Sequence, residues 1–436
     1  MLRTIRPRRW HRYSVPAALA LAIAVPAIHG SEIRDDEPVV IRGSQVPVPA
    51  NTGVERVHLF RYDPNTGSFE PMPYQLDQRV AKTFNAGTPI EFVETVYDVL
   101  GEDHGLMDDD DELGFRFADG GDPAPAEAPW PDGADGQRYE LEIFDPRPSD
   151  PAPTRFVYVY LGDDLPHAAT SYVTWNPSAT GTATTDRLQV RWDGNWLLTE
   201  LRVLAPCGTG EDLLDRLKGR ALTDQGLEED EEDWDLNSSY LGGVVGPLRS
   251  IRYVQGAASA VNTLHHDIVY RSWWERNIAL RVHPLAAVRM YLDLLPIAGT
   301  RLYAPTLPVE GIAIDGIPDA VPTDPVSWTV FDGPAGGLAI AWDVPPNPRY
   351  ATRETHYVDD RDHDDRLPVN PGYGDDDDSA YGAHGVRLND LLDTTVEPIR
   401  LRLRARALCS GDGDAGSGAA FRESLDQPLG VFVRPQ

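Results

Sequence analysis

Between Val244 and Leu295 apolar side chains return at every second position, and this period constrains the fold more than any other feature of the chain. In Asn277 to His283, Ile278, Leu280 and Val282 alternate with Ala279, Arg281 and His283. In Val288 to Leu294, Val288, Met290, Leu292 and Leu294 alternate with Arg289, Tyr291 and Asp293. A period of two sends one set to a buried face of a sheet and the other to the opposite, wetter face. Arg249 to Val254 and Asp267 to Trp274 read as two further strands just before them. Ile399 to Ala407 repeats the pattern near the end, with Leu401, Leu403, Ala405 and Ala407 against Arg400, Arg402, Arg404 and Arg406. The expected class is all-β, with no repeat of fixed period.

At 436 residues the chain exceeds one ordinary core, so two domains are expected. Residues 33–165 carry short strands (Val57 to Tyr62, Tyr139 to Phe144, Phe156 to Leu161) and turns such as Asp63-Pro64-Asn65-Thr66-Gly67. They read as an N-terminal β-sandwich-like domain. From Asp163 to Asp186 the composition shifts to Ala, Thr, Ser and Pro, which suits a connection. Residues 186–434 are expected to form a larger sheet-on-sheet domain of super-sandwich type. One helix is predicted within it, Gly210 to Lys218: Thr209 is placed to cap it, Leu213, Leu214 and Leu217 share a helical face, and Gly219 stops it. The acidic stretch 345–381 is predicted to be a long loop.

The formal charge is −30, so this surface repels a phosphate backbone, and no nucleic-acid partner is expected. Arg3, Arg6, Arg8, Arg9 and Arg12 precede the apolar run Val15 to Val25, and residues 1–30 read as a secretory signal peptide. The apolar run is too short to span a bilayer, and no later stretch reaches ~18 uninterrupted apolar residues. An exported chain (periplasmic, outer surface or extracellular) meets oxidising conditions. Its only two cysteines, Cys207 and Cys409, are therefore expected to bridge.

Asp98 to Leu113 is dense in carboxylates around a Gly-containing turn. A hard cation takes about six to eight oxygens, and Ca²⁺ held by Asp103, Asp108, Asp110 and Glu112 is the expected cofactor. The spacing departs from an EF-hand, since counting Gly105 as sixth places His104 fifth and Leu100 first. A solvated acidic turn is the competing reading. Pro73-Tyr74-Gln75-Leu76-Asp77, an acidic turn, then Asp111-Glu112-Leu113 and Phe115 resembles a module of exported bacterial proteins. Some of those are related to rhamnogalacturonan-lyase-like families with large β-sandwiches. The resemblance covers residues 40–125 and lacks the usual Asp-Gly pairs of the turn. It implies a fold class more than an activity.

A second constellation gathers Asn262, His265, His266, Tyr270 and Arg271, with Trp273 and Trp274 just beyond. Abstracting the proton beside a uronate carboxylate needs a base, Tyr or His, and cationic or amide groups to hold the developing charge. An exposed Trp would stack on a sugar ring. The same residues also occur in a plain β core, and adjacent strand residues such as His265 and His266 point to opposite faces. The Arg400–Arg406 stripe suits an acidic glycan, or cross-strand Asp and Glu that neutralise it. Glu228 to Asp235, Asp359 to Asp365 and Asp375 to Asp378 are further acidic runs. There is no phosphate loop, nucleophile elbow or zinc-ligand spacing.

The expectation is an exported acidic binding or surface-associated protein, calcium-stabilised, with a glycan or cell-surface component as partner. The alternative is a lyase-like, polysaccharide-active enzyme working through the second domain. A groove that brings Tyr270, His265 or His266 together with an arginine would favour the enzyme.

Overall fold

The alternating segments build the centre of a large antiparallel sheet, except Val288 to Leu294, which belongs to the sheet packed against it. The structure, a computed structural model, describes residues 34–49, 51–147, 154–226, 228–257, 262–363 and 379–435. The segment read as a signal peptide and the acidic run at 364–378 lie outside them. Among the described residues the large sheet has nine strands. Their order is Ser238–Val245, Arg249–Gly256, Leu264–Tyr270, Trp273–Leu280, Ile399–Leu408, Gly336–Asp343, Thr329–Gly333, Arg301–Tyr303 and Ile312–Ala313. Its inner face presents Trp274, Ile278, Leu401, Leu403, Leu338 and Ile340. These pack on a five-stranded sheet whose central strands, Leu214–Leu222, Leu285–Leu294 and Ala380–Leu391, supply Leu217, Val288, Met290, Leu292, Val386 and Leu388. The class is all-β, with sheet packed on sheet.

A smaller sandwich precedes it. The strands Pro38–Arg42, Glu112–Arg116 and Tyr74–Asp77 face a five-stranded sheet that contains Val57–Asp63, Asp135–Phe144 and Thr154–Leu161. Ile41, Leu113 and Phe115 from one layer meet Leu59, Leu141 and Val159 from the other. The final strand, Gly430–Pro435, pairs with Asp135–Phe144 and not with the strands of residues 186–434. The last described strand thus returns to the sandwich that holds the first described ones.

Three local expectations are corrected. Gly210 to Lys218 is not a helix: Leu214–Leu222 is a strand paired with Leu285–Leu294, with a register shift between Leu214 and Arg216. That irregularity brings Leu213, Leu214 and Leu217 into one core, which mimics helical spacing. The turn after the third central strand falls at Arg271-Ser272, because Trp273 and Trp274 already belong to the next strand. Within the supposed loop 345–381, Thr352–Asp360 is a strand, and Asp359 accepts the amides of Asp315, Gly316 and Gly382 to fix its end.

The outer face of the large sheet is covered at two places. The hairpin Arg79–Phe84 with Phe92–Tyr97 lays Phe84, Phe92 and Val96 over Leu264 and Ala279. The helix Ala415–Asp426 starts where Asp414 accepts the Ser417 amide at 2.7 Å, and it buries Phe421 against Trp273. Between hairpin and helix a strip of this face stays polar.

Candidate active site in the cleft on the large sheet

Strand register sets the strip. Tyr253 lies opposite His266, His266 opposite Asn277, Asn277 opposite Arg402, and Arg402 opposite Asp343. One row along, Ile268 lies opposite Glu275, and Glu275 opposite Arg404. Residues paired across neighbouring strands share a face, so five strands place a tyrosine, a histidine, an amide, a guanidinium and a carboxylate in one line. The first sandwich and the hairpin supply the facing wall with Arg42, Arg79, Glu94, Tyr97 and Glu112. The space enclosed is about 570 Å³.

The wall is locked to the sheet by the residues of the Pro73–Asp77 and Asp111–Leu113 motifs. Gln75 Oε1 accepts the amides of Leu248 and Arg249 at 3.2 and 3.0 Å. Gly246 is needed there, since a Cβ would sit 2.3 Å from Gln75 Oε1. Arg249, 1% exposed, donates from Nε to Asp77 Oδ2 and from Nη2 to Glu112 Oε2, both at 2.9 Å. Its Nη1 donates to the Tyr270 hydroxyl at 2.8 Å. Glu112 also accepts the Tyr97 hydroxyl at 2.8 Å and pairs with Arg79 at 3.2 Å. Burial raises the Glu112 carboxyl, but Arg249 and Arg79 outweigh that and hold it below the usual carboxylate range.

Most charges in the cleft are spent on each other. Glu275 pairs with Arg404 at 3.5 Å, Asp343 with Arg404 at 3.4 Å, and Glu94 with Arg400 at 2.6 Å. Arg402 differs. It is exposed to the cleft, and it makes no hydrogen bond or ion pair with the described residues. His266 stacks on Tyr253 at 5.3 Å and meets Tyr97 edge-on at 5.3 Å. Burial, helped by the Arg402 and Arg79 charges against Glu275 and Glu112, pushes its pKa down to about 4. The imidazole is therefore neutral at physiological pH, with free lone-pair capacity.

The five sequence candidates separate. His266 and Tyr270 share the outer face, but the Tyr270 hydroxyl is held by Arg249, and burial raises its pKa. His265 points into the opposite core against Trp196, 4.2 Å away. Asn262 donates to Asn85 Oδ1, away from the cleft, and Arg271 is engaged by Asp36 and Asp186. Neither tryptophan offers a stacking face: Trp274 donates to Asp267 inside the core, and Trp273 is covered by Phe421. Sequence reasoning missed Tyr253 and Asn277, whose relation to His266 is a matter of register.

The acidic turn is organised internally. Asp111 accepts the amides of Arg79 and Asp108, and Asp98 accepts those of Leu100, Glu102 and Asp103. Of the expected calcium ligands, Asp103, Asp108 and Asp110 stay at this turn, whereas Glu112 points into the arginine network of the cleft. Among the described residues no group of three or more His, Cys, Asp or Glu side chains is arranged to hold a metal ion. Cys207 and Cys409 form a disulfide.

No family model matches the chain, so the likeness of residues 40–125 to a module rests on the residues quoted for it alone. No curated protein sequence matches either. Among solved structures, a candidate aldose 1-epimerase from Escherichia coli K12 aligns over 54% of this chain and 100% of its own. The identity is 11% and the TM-score 0.30, which assigns neither activity nor residues. Among the described residues no helix is long and apolar enough to cross a membrane.

The buried histidines predict an acid-sensitive fold. Burial lowers His58, holds His265 well below its ordinary value, and pushes His266 to about 4 and His384 to about 3. Between ordinary and folded values the unfolded chain binds more protons, so stability rises with pH. That stability is complete above about pH 6.5 and is lost as pH falls toward 4. Asp111, raised by burial to about 6, works in the opposite sense, as do other carboxyls that burial raises, among them Glu37, Asp212, Glu231 and Asp359. Glu94, Glu112, Glu200 and Glu275, held low by arginines, act with the histidines. The melting temperature should fall from pH 6.5 to 4.5, less steeply in His384→Leu. A flat profile over that window counts against it.

Proposed function

We propose that this is an exported carbohydrate-handling protein whose cleft takes an acidic, uronate-type oligosaccharide. The observation that carries the reading is Arg402, an exposed guanidinium in line with Asn277, His266 and Tyr253. It makes no direct hydrogen bond or ion pair among the described residues, although its charge helps hold Glu275 ionised. A guanidinium matches a carboxylate in two parallel hydrogen bonds. The cleft presents five arginines (Arg42, Arg79, Arg400, Arg402, Arg404) to four acids (Glu94, Glu112, Glu275, Asp343), a local excess of positive charge in a chain of net charge −30. Export rests on the basic start and its apolar run; the intact mass of protein from its native host should lack the first ~27–30 residues.

A second reading makes the cleft catalytic. Neutral His266 is in the state a base needs, beside a tyrosine hydroxyl, an amide and a guanidinium. In β-elimination the base takes the proton on the carbon bearing the carboxylate. The bond to the neighbouring glycosidic oxygen then breaks, a carbon–carbon double bond forms, and the leaving oxygen takes up a proton. Arg402 and Asn277 would stabilise the charge that builds on the carboxylate. The test is calorimetry with uronate oligosaccharides beside an absorbance assay for the unsaturated product. Arg402→Ala should weaken binding on the order of tenfold or more. His266→Ala should remove product and spare binding if the cleft is catalytic. Wild-type affinity in Arg402→Ala sinks the binding reading.

A further inference from the structure

A second cavity of about 380 Å³ opens beyond the first. It is lined by Tyr270 and Trp273, each only 6% exposed, and by Val40 on the first sandwich and Leu425 and Pro428 at the end of the last helix. The two cavities share Tyr97, Glu112, Glu275, Arg402 and Arg404. They are thus two halves of one groove that narrows at the ion pairs of Glu275 and Glu112.

The sheet gives the groove its length. Ala279 lines one end and Trp273 the other, six residues apart on one strand, which is about 20 Å at the usual rise. That exceeds one sugar ring several times over. Arg400, Arg402 and Arg404 lie along it at two-residue spacing, so the positive edge follows the groove rather than marking a single point. The far wall of the second half carries Pro38, Val40, Leu425 and Pro428, with one carboxylate, Glu37, that is paired with Arg34 at 2.5 Å.

Building on the reading of the cleft as an acidic-sugar site, we infer that the second cavity is a further subsite, so that the groove binds the interior of a uronate chain. The unit on Arg402 sits at the neck, and neighbouring units extend toward Arg400 on one side and toward Val40 and Leu425 on the other. Affinity should then grow with chain length.

The experiment titrates uronate disaccharides and hexasaccharides of the galacturonate, alginate and hyaluronan series into the full-length mature protein. For the series that binds, the hexasaccharide should bind on the order of tenfold tighter than the disaccharide. Val40→Trp, at an exposed strand position, and Leu425→Trp should each fill the second cavity and remove most of that gain. Near-ultraviolet circular dichroism checks that each variant is folded. Equal affinity for short and long chains in the wild type overturns the subsite alone, as does a gain that survives in both folded variants. Absence of binding by any acidic oligosaccharide overturns the reading of the cleft on which it rests.

Discussion

Arg249→Ala is expected to lower the unfolding free energy by ~3–5 kcal/mol, the cost of removing one partner from a buried ion pair. Arg249, Asp77 and Glu112 are all largely buried, and the guanidinium is the only cation touching both carboxylates at 3 Å or less among the described residues. Without it the two acids face each other beneath the cleft, and the Tyr270 hydroxyl loses its donor. Lysine should rescue poorly, since one ammonium cannot reproduce a fork that reaches Asp77, Glu112 and Tyr270 in one plane. Urea unfolding of the wild type, Arg249→Ala and Arg249→Lys measures this directly. Asp77→Asn combined with Glu112→Gln should recover much of the loss in the alanine background, because the uncompensated charges are then gone. A loss under 1 kcal/mol in Arg249→Ala would mean that the first sandwich is not clamped to the sheet in this way.

That clamp shows what the sequence displays and what it hides. Pro73–Asp77 and Asp111–Leu113 stand out as a motif, but their function is a partnership with Leu248 and Arg249, more than 130 residues away. Alternation identifies the strands, because burial of one face leaves a mark in every second residue. It does not say which strands pair, and pairing makes the site: Tyr253, His266, Asn277 and Arg402 meet only through three registers. The arginine stripe is legible, and its neutralisation by acids holds for Arg400 and Arg404. Arg402 makes no direct ion pair because its neighbour on one side is Asn277, while Asp343 on the other side is taken by Arg404 and Arg422. The misplaced helix has a local cause, a register irregularity that imitates the helical period. The aromatic pair Trp273-Trp274 looked like a stacking surface, but adjacent residues on a strand go to opposite faces, and both faces here are covered.

Removing the disulfide should have the largest effect on stability and almost none on the cleft. Cys207 and Cys409 are 202 residues apart, and in the chain-entropy model a cross-link of that length contributes ~5 kcal/mol by restricting the unfolded chain. The folded state has other ties at the same place. The Ser410 amide donates to the Cys207 carbonyl at 2.7 Å, and the Cys207 amide donates to the Leu204 carbonyl at 3.0 Å. Those bonds persist when the sulfurs separate, so the strand Ile399–Leu408, with Arg402 at its far end, keeps its register. Cys207→Ser with Cys409→Ser should therefore shift the urea midpoint sharply while leaving uronate affinity at low temperature within about twofold. The bond forms only where thiols oxidise, so a chain kept inside the cell should behave like the double-serine variant. Equal midpoints with and without reductant would place the stabilisation elsewhere, and loss of affinity in a folded reduced chain would show that the cross-link shapes the cleft.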